Sequence, residues 1–268
     1  MKKIYIHCDG GLGNRLGGII GGLYLAEKLN IDYEIIWIKT TWCECSYDEL
    51  FTPEVNIIED RNFQIEEDKT MLFISHTHWD HVNAFQHHPE QIPDMVFSDM
   101  NYDIIYYNNC VIPSFLSEQE QIKLLYKLKI KQSIIDRVKQ FIKLQNIDKK
   151  VNGLHIRNTD GPIMFNFDHI YDIILKNKDA KYFICSDNNE TENALLKLNN
   201  VIRYDKTNYV KKINPNTDWN IGDNVYRNSE SVIEAFIDML ILSRTNIITP
   251  DNSSTFLKFA KLYSKIEL

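Results

Sequence analysis

The chain has 268 residues, 44% of them hydrophobic, which is enough to bury a core in one large domain or two small ones. A formal net charge of −7 argues against general nucleic-acid binding, and five scattered cysteines argue against a disulfide framework. No apolar run reaches the roughly 20 residues of a membrane span, and the first residues lack the apolar segment of a signal peptide. We therefore expect a cytoplasmic protein with at most peripheral contact at the inner face of a membrane.

Strand and helix signals alternate from the first residues onward. Apolar runs at residues 4–8 and 33–38 predict strands, and the helical spacing of apolar residues over 16–29 predicts a helix between them. A strand, a turn, a helix and a second strand form the repeating unit of a parallel sheet. Further strands in this half are predicted at residues 56–58, 71–75 and 104–107.

The same alternation returns after Pro113, which breaks the chain. Helices are predicted to start at Ser117 and Ser133. Beyond them, strands at residues 151–156, 181–185, 201–204 and 246–249 alternate with helices at 167–175, 191–198, 231–243 and 253–262. We predict an α/β fold with two facing Rossmann-type doubly wound domains, residues 1–112 and 113–268, and ligands beyond the carboxyl ends of the strands.

A glycine-rich turn lies between the first predicted strand and the first helix. Gly10, Gly11 and Gly13 allow backbone N–H groups to approach a phosphate closely, and Arg15 would add positive charge. The spacing differs from the dinucleotide-binding pattern and no Walker lysine follows, so a tight turn without a ligand is the alternative interpretation. Further glycines indicate close packing of the helix, or close approach of another group, at Gly17, Gly18, Gly21 and Gly22.

A basic and acidic cluster follows the predicted strand at residues 151–156. Its arginine, Arg157, lies just past the strand end, where a guanidinium suits an anion such as a diphosphate. His155 and Asp160 flank this arginine, and Gly161 and Pro162 then break the chain. Together with the glycine turn, the cluster predicts an enzyme that holds a sugar nucleotide between two halves.

Four segments resemble, in order along the chain, the motifs of the superfamily of α1,2-, α1,6- and protein O-fucosyltransferases. Residues 10–16, GGLGNRL, are similar to the G-G-L-G-N-x-L/M turn of bacterial fucosyltransferases, and residues 155–160, HIRNTD, resemble the H-x-R-R-x-D motif. Residues 183–188 resemble the family's strand ending in S-D, and residues 238–256 resemble its closing D-x-x-x-L-S … S-S-x-F segment. The ordered set spans nearly the whole chain and is more specific than any one motif.

The resemblance implies a GT-B fold, a GDP-sugar donor (commonly GDP-fucose), inversion at the anomeric carbon, and no required metal or other cofactor. Arg157 matches the arginine that neutralises the donor diphosphate, and Asp187 and Ser254 match positions that line the nucleotide pocket. His155 and Asp160 match neighbouring motif positions. Asn158 stands where the motif has its second arginine, so one positive charge is missing, and the identity of the sugar or of the base of the donor stays open.

Such a transfer requires two chemical functions. The leaving GDP gains negative charge, which Arg157, the amides of the glycine turn and the helix start near Ser253 would stabilise. A base must take the proton of the acceptor hydroxyl; Asp9 is the first candidate, with Asp160 and His155 next. The alternative for Asp9 is that it only caps the glycine turn. The predicted catalytic residues are Arg157, Asp9 and Asp160, and the predicted donor-binding residues are Gly11, Gly13, Asn14, Arg15, His155, Arg157, Asp187, Ser253, Ser254 and Thr255.

A rival motif follows the predicted strand at residues 71–75. Residues 76–81, HTHWDH, fit the H-x-H-x-D-H metal motif of the metallo-β-lactamase superfamily, and three imidazoles with a carboxylate could bind Zn²⁺. The later ligands of that pattern are incomplete, because the last histidine of the chain is His169. The same segment could instead bind the acceptor or form a solvated loop.

We interpret the chain as an inverting, fucosyltransferase-like glycosyltransferase that moves a sugar from a GDP-sugar to a hydroxyl of a glycan or glycolipid. The N-terminal half is expected to bind the acceptor and the C-terminal half the nucleotide sugar, with no nucleic-acid partner. Two alternatives stay open. One is a non-catalytic protein that binds a nucleotide sugar or a glycan, and the other is a zinc hydrolase centred on His76, His78, Asp80 and His81.

Overall fold

The computed structural model describes residues 2–65, 69–75, 84–97, 100–159, 167–218, 224–249 and 254–268. Its contacts divide the chain into two compact units. Unit 1 comprises Met1–Thr40 and Ser46–Lys129, and unit 2 comprises Thr41–Cys45 and Ile130–Leu268. Within the described ranges, no helix combines the length and the apolar character that crossing a membrane requires.

Unit 1 is built on a parallel sheet. Its strands are β1 (Lys3–Cys8), β2 (Tyr33–Trp37), β3 (Ile57–Ile58), β4 (Met71–Ser75), β5 (Ala84–His87) and β6 (Ile104–Asn108). Its helices are α1 (Leu12–Leu29), α2 (Tyr47–Leu50), α3 (Glu118–Leu125) and a 3₁₀ helix at Pro89–Asp94. The six strands lie in the order β3-β2-β1-β6-β4-β5, and every pairing is parallel. The order reverses beside β1, which makes the carboxyl end of β1 a ligand-binding position for this class of sheet.

Close packing accounts for the glycines inside α1, one of the two explanations predicted for them. A Cβ atom on Gly18 would lie 2.3 Å from the carbonyl oxygen of Asn109. A Cβ atom on Gly22 would lie 2.6 Å from the side chain of Ile6 in β1. The absence of side chains therefore lets α1 lie directly on β1 and on the segment after β6.

Arg15 lies inside unit 1, where its guanidinium bonds to backbone carbonyls, and its role in binding the donor stays a prediction. Its side chain is 0% exposed. The Nε atom donates a hydrogen bond to the carbonyl oxygen of Gly10 at 2.9 Å, and Nη2 donates to the carbonyl oxygen of Ile38 at 2.7 Å. The guanidinium also lies 4.6 Å from the ring centroid of Trp37. Arg15 therefore donates hydrogen bonds to backbone carbonyls beyond the ends of two strands. The sequence shows only an arginine in a polar segment, and that pattern fits a carbonyl-binding arginine as well as a phosphate-binding one.

The observed boundary between the units also differs from the predicted one at residues 112 and 113. It lies after Lys129, because α3 packs on α1: Lys123 Nζ is 2.8 Å from Glu27 Oε2, and Lys127 forms a second ion pair with the same carboxylate. Pro113 therefore marks a loop within unit 1. A short segment of the first half, Thr41–Cys45, belongs to unit 2 and pairs there with the backbone of Arg227.

Unit 2 has a second, smaller parallel sheet. Its strands are β7 (Asn152–Ile156), β8 (Tyr182–Ser186), β9 (Val201–Ile202) and β10 (Asn246–Ile247). Its helices are α4 (Gln132–Gln145), α5 (Phe167–Lys176), α6 (Asn189–Leu195), α7 (Ser229–Leu242) and α8 (Thr255–Tyr263). The order is β10-β7-β8-β9, again parallel throughout. The prediction of an α/β fold with two parallel sheets is confirmed.

Three buried charged residues form an ion network in unit 2. Lys206 Nζ lies 2.7 Å from Glu192 Oε1 and 2.6 Å from Asp238 Oδ2. Their exposed fractions are 8%, 0% and 2%, respectively. Glu192 also accepts a hydrogen bond from the hydroxyl of Tyr209, whereas Asp238 Oδ1 is buried without a hydrogen-bond partner in the described part of the chain.

Lys206 is a single positive charge between two buried carboxylates, and of these two Asp238 is the less stabilised in its charged form. Burial raises the pKa of Asp238 to about 7, and the neighbouring charge of Lys206 only partly opposes this. Burial would lower the pKa of Lys206, but the two carboxylates outweigh it, and the pKa is raised. Lys206 therefore keeps its charge at neutral pH while Asp238 titrates.

Replacing Arg15 by methionine should lower the free energy of unfolding by about 3 kcal/mol, because buried carbonyls lose charged donors. The exposed Arg61 provides a matched control, and Arg61→Met should change the unfolding free energy by less than about 0.5 kcal/mol. Urea denaturation of both variants measures the difference. Equal stability of the two variants would contradict the buried role.

Asp238→Asn should remove part of the pH dependence of stability. The folded pKa of Asp238 is raised from 3.8 to about 7, so its contribution to stability is complete below pH 4 and is lost as the pH rises to 7. The wild-type free energy of unfolding should fall across this window, relative to the variant, by at most about 1.4 kcal/mol per pH unit. Identical slopes for the two proteins in urea titrations at several pH values would refute this assignment.

Candidate functional site

The carboxyl ends of β7 and β8 bring together two motifs that lie far apart in the sequence. The strands are parallel, with Ile156 opposite Ser186. Arg157 and Asp187 are therefore the first residues beyond adjacent strand ends. This edge of the sheet is where ligands bind in open parallel sheets, so we treat it as the candidate site.

Asp187 supports the turn that begins at Arg157. Its Oδ1 atom accepts a hydrogen bond from the backbone N–H of Asn158 at 2.8 Å, and its Oδ2 atom accepts one from Thr159 Oγ1 at 2.5 Å. The carboxylate thus fixes the two residues that follow Arg157. Asp187 was predicted to line the nucleotide pocket, and that role stays a prediction.

Asn158, which occupies the position of the motif's second arginine, has a local partner. Its Nδ2 atom donates to Thr191 Oγ1 in the first turn of α6 at 2.8 Å. The neutral amide therefore joins the turn after β7 to α6. Thr159 occupies a variable position of the H-x-R-R-x-D motif and Thr191 lies outside the motifs, so neither was predicted as a site residue.

The third motif of unit 2 adjoins His155. The ring of His155 stacks on that of Phe256 in α8, with centroids 4.4 Å apart and planes 12° apart. The backbone N–H of His155 donates to Thr249 Oγ1 at 2.8 Å, and Thr249 follows β10, which pairs with β7. The strand ends of β10, β7 and β8 therefore share this edge of the sheet.

The helix start predicted near residue 253 is observed at α8. Ser254 is its N-cap residue, with its side chain accepting from the N–H of Leu257, and Thr255 is the first helical residue. No acidic residue lies in the first turn of α8, so no carboxylate of that turn offsets the positive end of the helix dipole. Ser253 and Asp160 lie outside the described residues.

The glycine turn of unit 1 has the geometry of an uncapped helix start. Gly10 has a φ of 74°, Gly11 is the N-cap of α1 without a side-chain hydrogen bond, and the first turn has no acidic residue. A Cβ atom on Gly11 would meet nothing within 4 Å, so packing does not require glycine there. Gly13 and Asn14 lie in the first turn of α1. Binding of the donor by Gly11, Gly13 and Asn14 stays a prediction.

Asp9 is exposed, and its Oδ1 atom accepts a hydrogen bond from the N–H of Gly10 at 2.6 Å. The capping role that was the alternative for Asp9 is thus observed, and its role as a base stays a prediction. His7, two residues earlier, was not predicted as a site residue. Burial lowers the pKa of His7, and the charge of Asp9 opposes this effect.

The rival metal motif lies outside the described residues, since residues 76–83 are not among them. Within the described ranges, no group of three or more potential metal ligands comes together. The zinc hydrolase therefore stays an alternative, as does the non-catalytic binder.

No protein-family model matches the chain, and no curated protein sequence matches it. Solved structures do match. Fucosyltransferase NodZ from Bradyrhizobium is 18% identical with a TM-score of 0.66, over 97% of this chain and 92% of NodZ. POFUT1 in complex with GDP-fucose is 12% identical with a TM-score of 0.54, over 98% of this chain and 94% of POFUT1.

A third match is a mutant of Arabidopsis thaliana FUT1 in complex with GDP. It is 13% identical with a TM-score of 0.56, over 98% of this chain and 68% of FUT1. At such identities the likeness concerns the fold, and it extends over nearly all of this chain. The chain has the GT-B fold of these fucosyltransferases.

Proposed function

We propose that this protein is an inverting glycosyltransferase that transfers a sugar, fucose in the first instance, from a GDP-sugar to a hydroxyl of a glycan or glycolipid. One observation carries the proposal. The segments around Arg157, Asp187 and Phe256, which resemble fucosyltransferase motifs, meet at one edge of the unit 2 sheet. The fold supports it, because the matched POFUT1 and FUT1 structures contain GDP-fucose and GDP.

The proposed role of Arg157 follows from the charge of the leaving group. As the bond to the sugar breaks, negative charge grows on the β-phosphate of GDP, and donors already aimed at it lower the barrier. A guanidinium can bind two phosphate oxygens at once. The positive end of the α8 dipole, whose first turn contains no acidic residue, adds favourable potential for an anion. In this proposal these groups supply the positive charge, and no metal is required.

The other predicted residues complete the proposed donor pocket. The stacked rings of His155 and Phe256 offer a flat surface beside Arg157 for the nucleoside. Ser254 and Thr255 lie at the helix start, and Asp187 fixes the turn. These assignments, with that of Ser253, come from the motif resemblance and the geometry together.

We propose that unit 1 supplies the acceptor side of the reaction, with Asp9 as the base. Its carboxylate is exposed, and only Oδ1 has a hydrogen-bond partner in the described part of unit 1. An exposed carboxylate beyond the central strand β1 can accept the proton of an acceptor hydroxyl. Asp160 and His155 remain the further candidates for this role.

The experiment that tests the proposal is a ligand screen of the purified protein. Thermal unfolding is measured with GDP, UDP, ADP, CMP and Zn²⁺, each with and without a chelator. We expect GDP alone to raise the midpoint, without sensitivity to chelator, and the protein to consume GDP-fucose. A shift with Zn²⁺ and none with any nucleotide would support the zinc hydrolase. GDP binding without turnover on any acceptor of a glycan panel would support the non-catalytic binder.

Arg157→Ala should lower transfer from GDP-fucose by roughly 10²- to 10³-fold, because the growing charge loses its main donor. Its melting temperature should stay within about 2 °C of the wild type, since the side chain is not part of the core. Arg61→Ala, which removes an exposed arginine from unit 1, is the control and should retain full activity. Normal transfer by Arg157→Ala would rule out the proposed site.

A further inference from the structure

The last residue of β8 lacks a strand neighbour on one side. The short strand β9 pairs with β8 only at Tyr182 and Phe183, so Ser186 lies beyond its end. A backbone N–H and a carbonyl left there without partners would carry a free-energy cost. The ion network of unit 2 supplies the partners. Glu192 Oε1 accepts from the N–H of Ser186 at 2.7 Å, and Lys206 Nζ donates to its carbonyl oxygen at 2.6 Å.

The residue after Ser186 connects the end of β8 to the candidate site. Asp187 follows Ser186 directly and accepts hydrogen bonds from Asn158 and Thr159. These residues form the turn that starts at Arg157. Hydrogen bonds and the peptide link between Ser186 and Asp187 therefore connect the buried ion network to Asn158 and Thr159, the residues that follow Arg157.

We propose that the network of Lys206, Glu192 and Asp238 is a positioning device for donor binding. It holds the end of β8 so that Asp187 keeps the turn of Arg157 in its binding geometry. None of the three residues is proposed to touch the donor. The inference deepens the proposed function and rests on it for the identity of the ligand, which is a GDP-sugar.

Energetics favour this role over a purely stabilising one. Removing charges from water costs about as much as a buried ion pair returns, so well-packed apolar residues would stabilise the unit equally well. What apolar residues could not do is accept from the N–H and donate to the carbonyl of Ser186 at once. What Lys206 and Glu192 specifically provide is therefore the geometry of the strand end, and Lys206 also donates a hydrogen bond to Asp238.

Glu234 offers a matched control within the same region. It lies on α7 one turn before Asp238, is 2% exposed, and accepts hydrogen bonds from the N–H groups of Thr207 at 3.0 Å and Asn208 at 2.8 Å. It thus anchors the residues next to Lys206 without a described hydrogen bond to Ser186. Glu234→Gln removes a buried carboxylate that binds the backbone at Thr207 and Asn208, and it removes no described hydrogen bond to Ser186.

The experiment compares Glu192→Gln with Glu234→Gln by two readouts. Calorimetric titration with GDP should show binding weakened by roughly tenfold in Glu192→Gln and by less than about twofold in Glu234→Gln, because a small displacement of the arginine is costly. Hydrogen exchange of the Asn158 amide, which bonds to Asp187, should accelerate by roughly tenfold in Glu192→Gln only. Both variants are expected to lose stability, and denaturant titration will measure whether their losses in unfolding free energy are equal.

A double variant separates positioning from general destabilisation. If the effect passes through Asp187, Glu192→Gln should weaken GDP binding no further in an Asp187→Asn background. Additive losses in the double variant, or unchanged exchange at Asn158 in Glu192→Gln, would overturn the inference. If exchange at Asn158 is faster in Glu192→Gln but the wild-type protein does not bind GDP, the positioning role of the network is supported. The proposal that the site binds a GDP-sugar is then rejected.

Discussion

Backbone groups at the carboxyl ends of parallel strands need hydrogen-bond partners outside the ladder, and in this protein side chains supply many of them. Arg15 bonds to the carbonyls of Gly10 and Ile38 beyond β1 and β2. Lys206 and Glu192 bond to Ser186 at the end of β8. The candidate site lies at the same edge of the unit 2 sheet, so its geometry depends on how these strand ends are completed.

Two arginines that follow strands have different environments. The guanidinium of Arg15 lies within unit 1, where backbone carbonyls and the ring of Trp37 surround it. Arg157 lies at the surface edge of β7, half-buried, beside a turn that Asp187 holds in place. In sequence both look like an arginine in a polar turn, and the carbonyls that surround Arg15 come together only through tertiary structure.

The sequence predicted the central strands well, because β1, β4 and β6 consist largely of apolar residues, and it predicted the motifs of unit 2 close to their strand ends. It did not predict β5, whose four residues lack a strand pattern at a sheet edge. The ion network was also not foreseen, because Lys206 and Asp238 lie 32 positions apart and nothing local couples them. Pairings of this kind depend on tertiary packing, which residue spacing does not encode.

The segment Thr41–Cys45 has a consequence for how separable the two units are. It interrupts the sequence of unit 1, yet its backbone bonds to Arg227, and Glu44 bonds to the hydroxyl of Tyr226. The chain therefore passes between the units three times, and a fragment starting at Ile130 lacks part of unit 2. Recombination with a relative at a single point after Lys129 would separate these partners, so the two units are compact bodies without being interchangeable genetic modules.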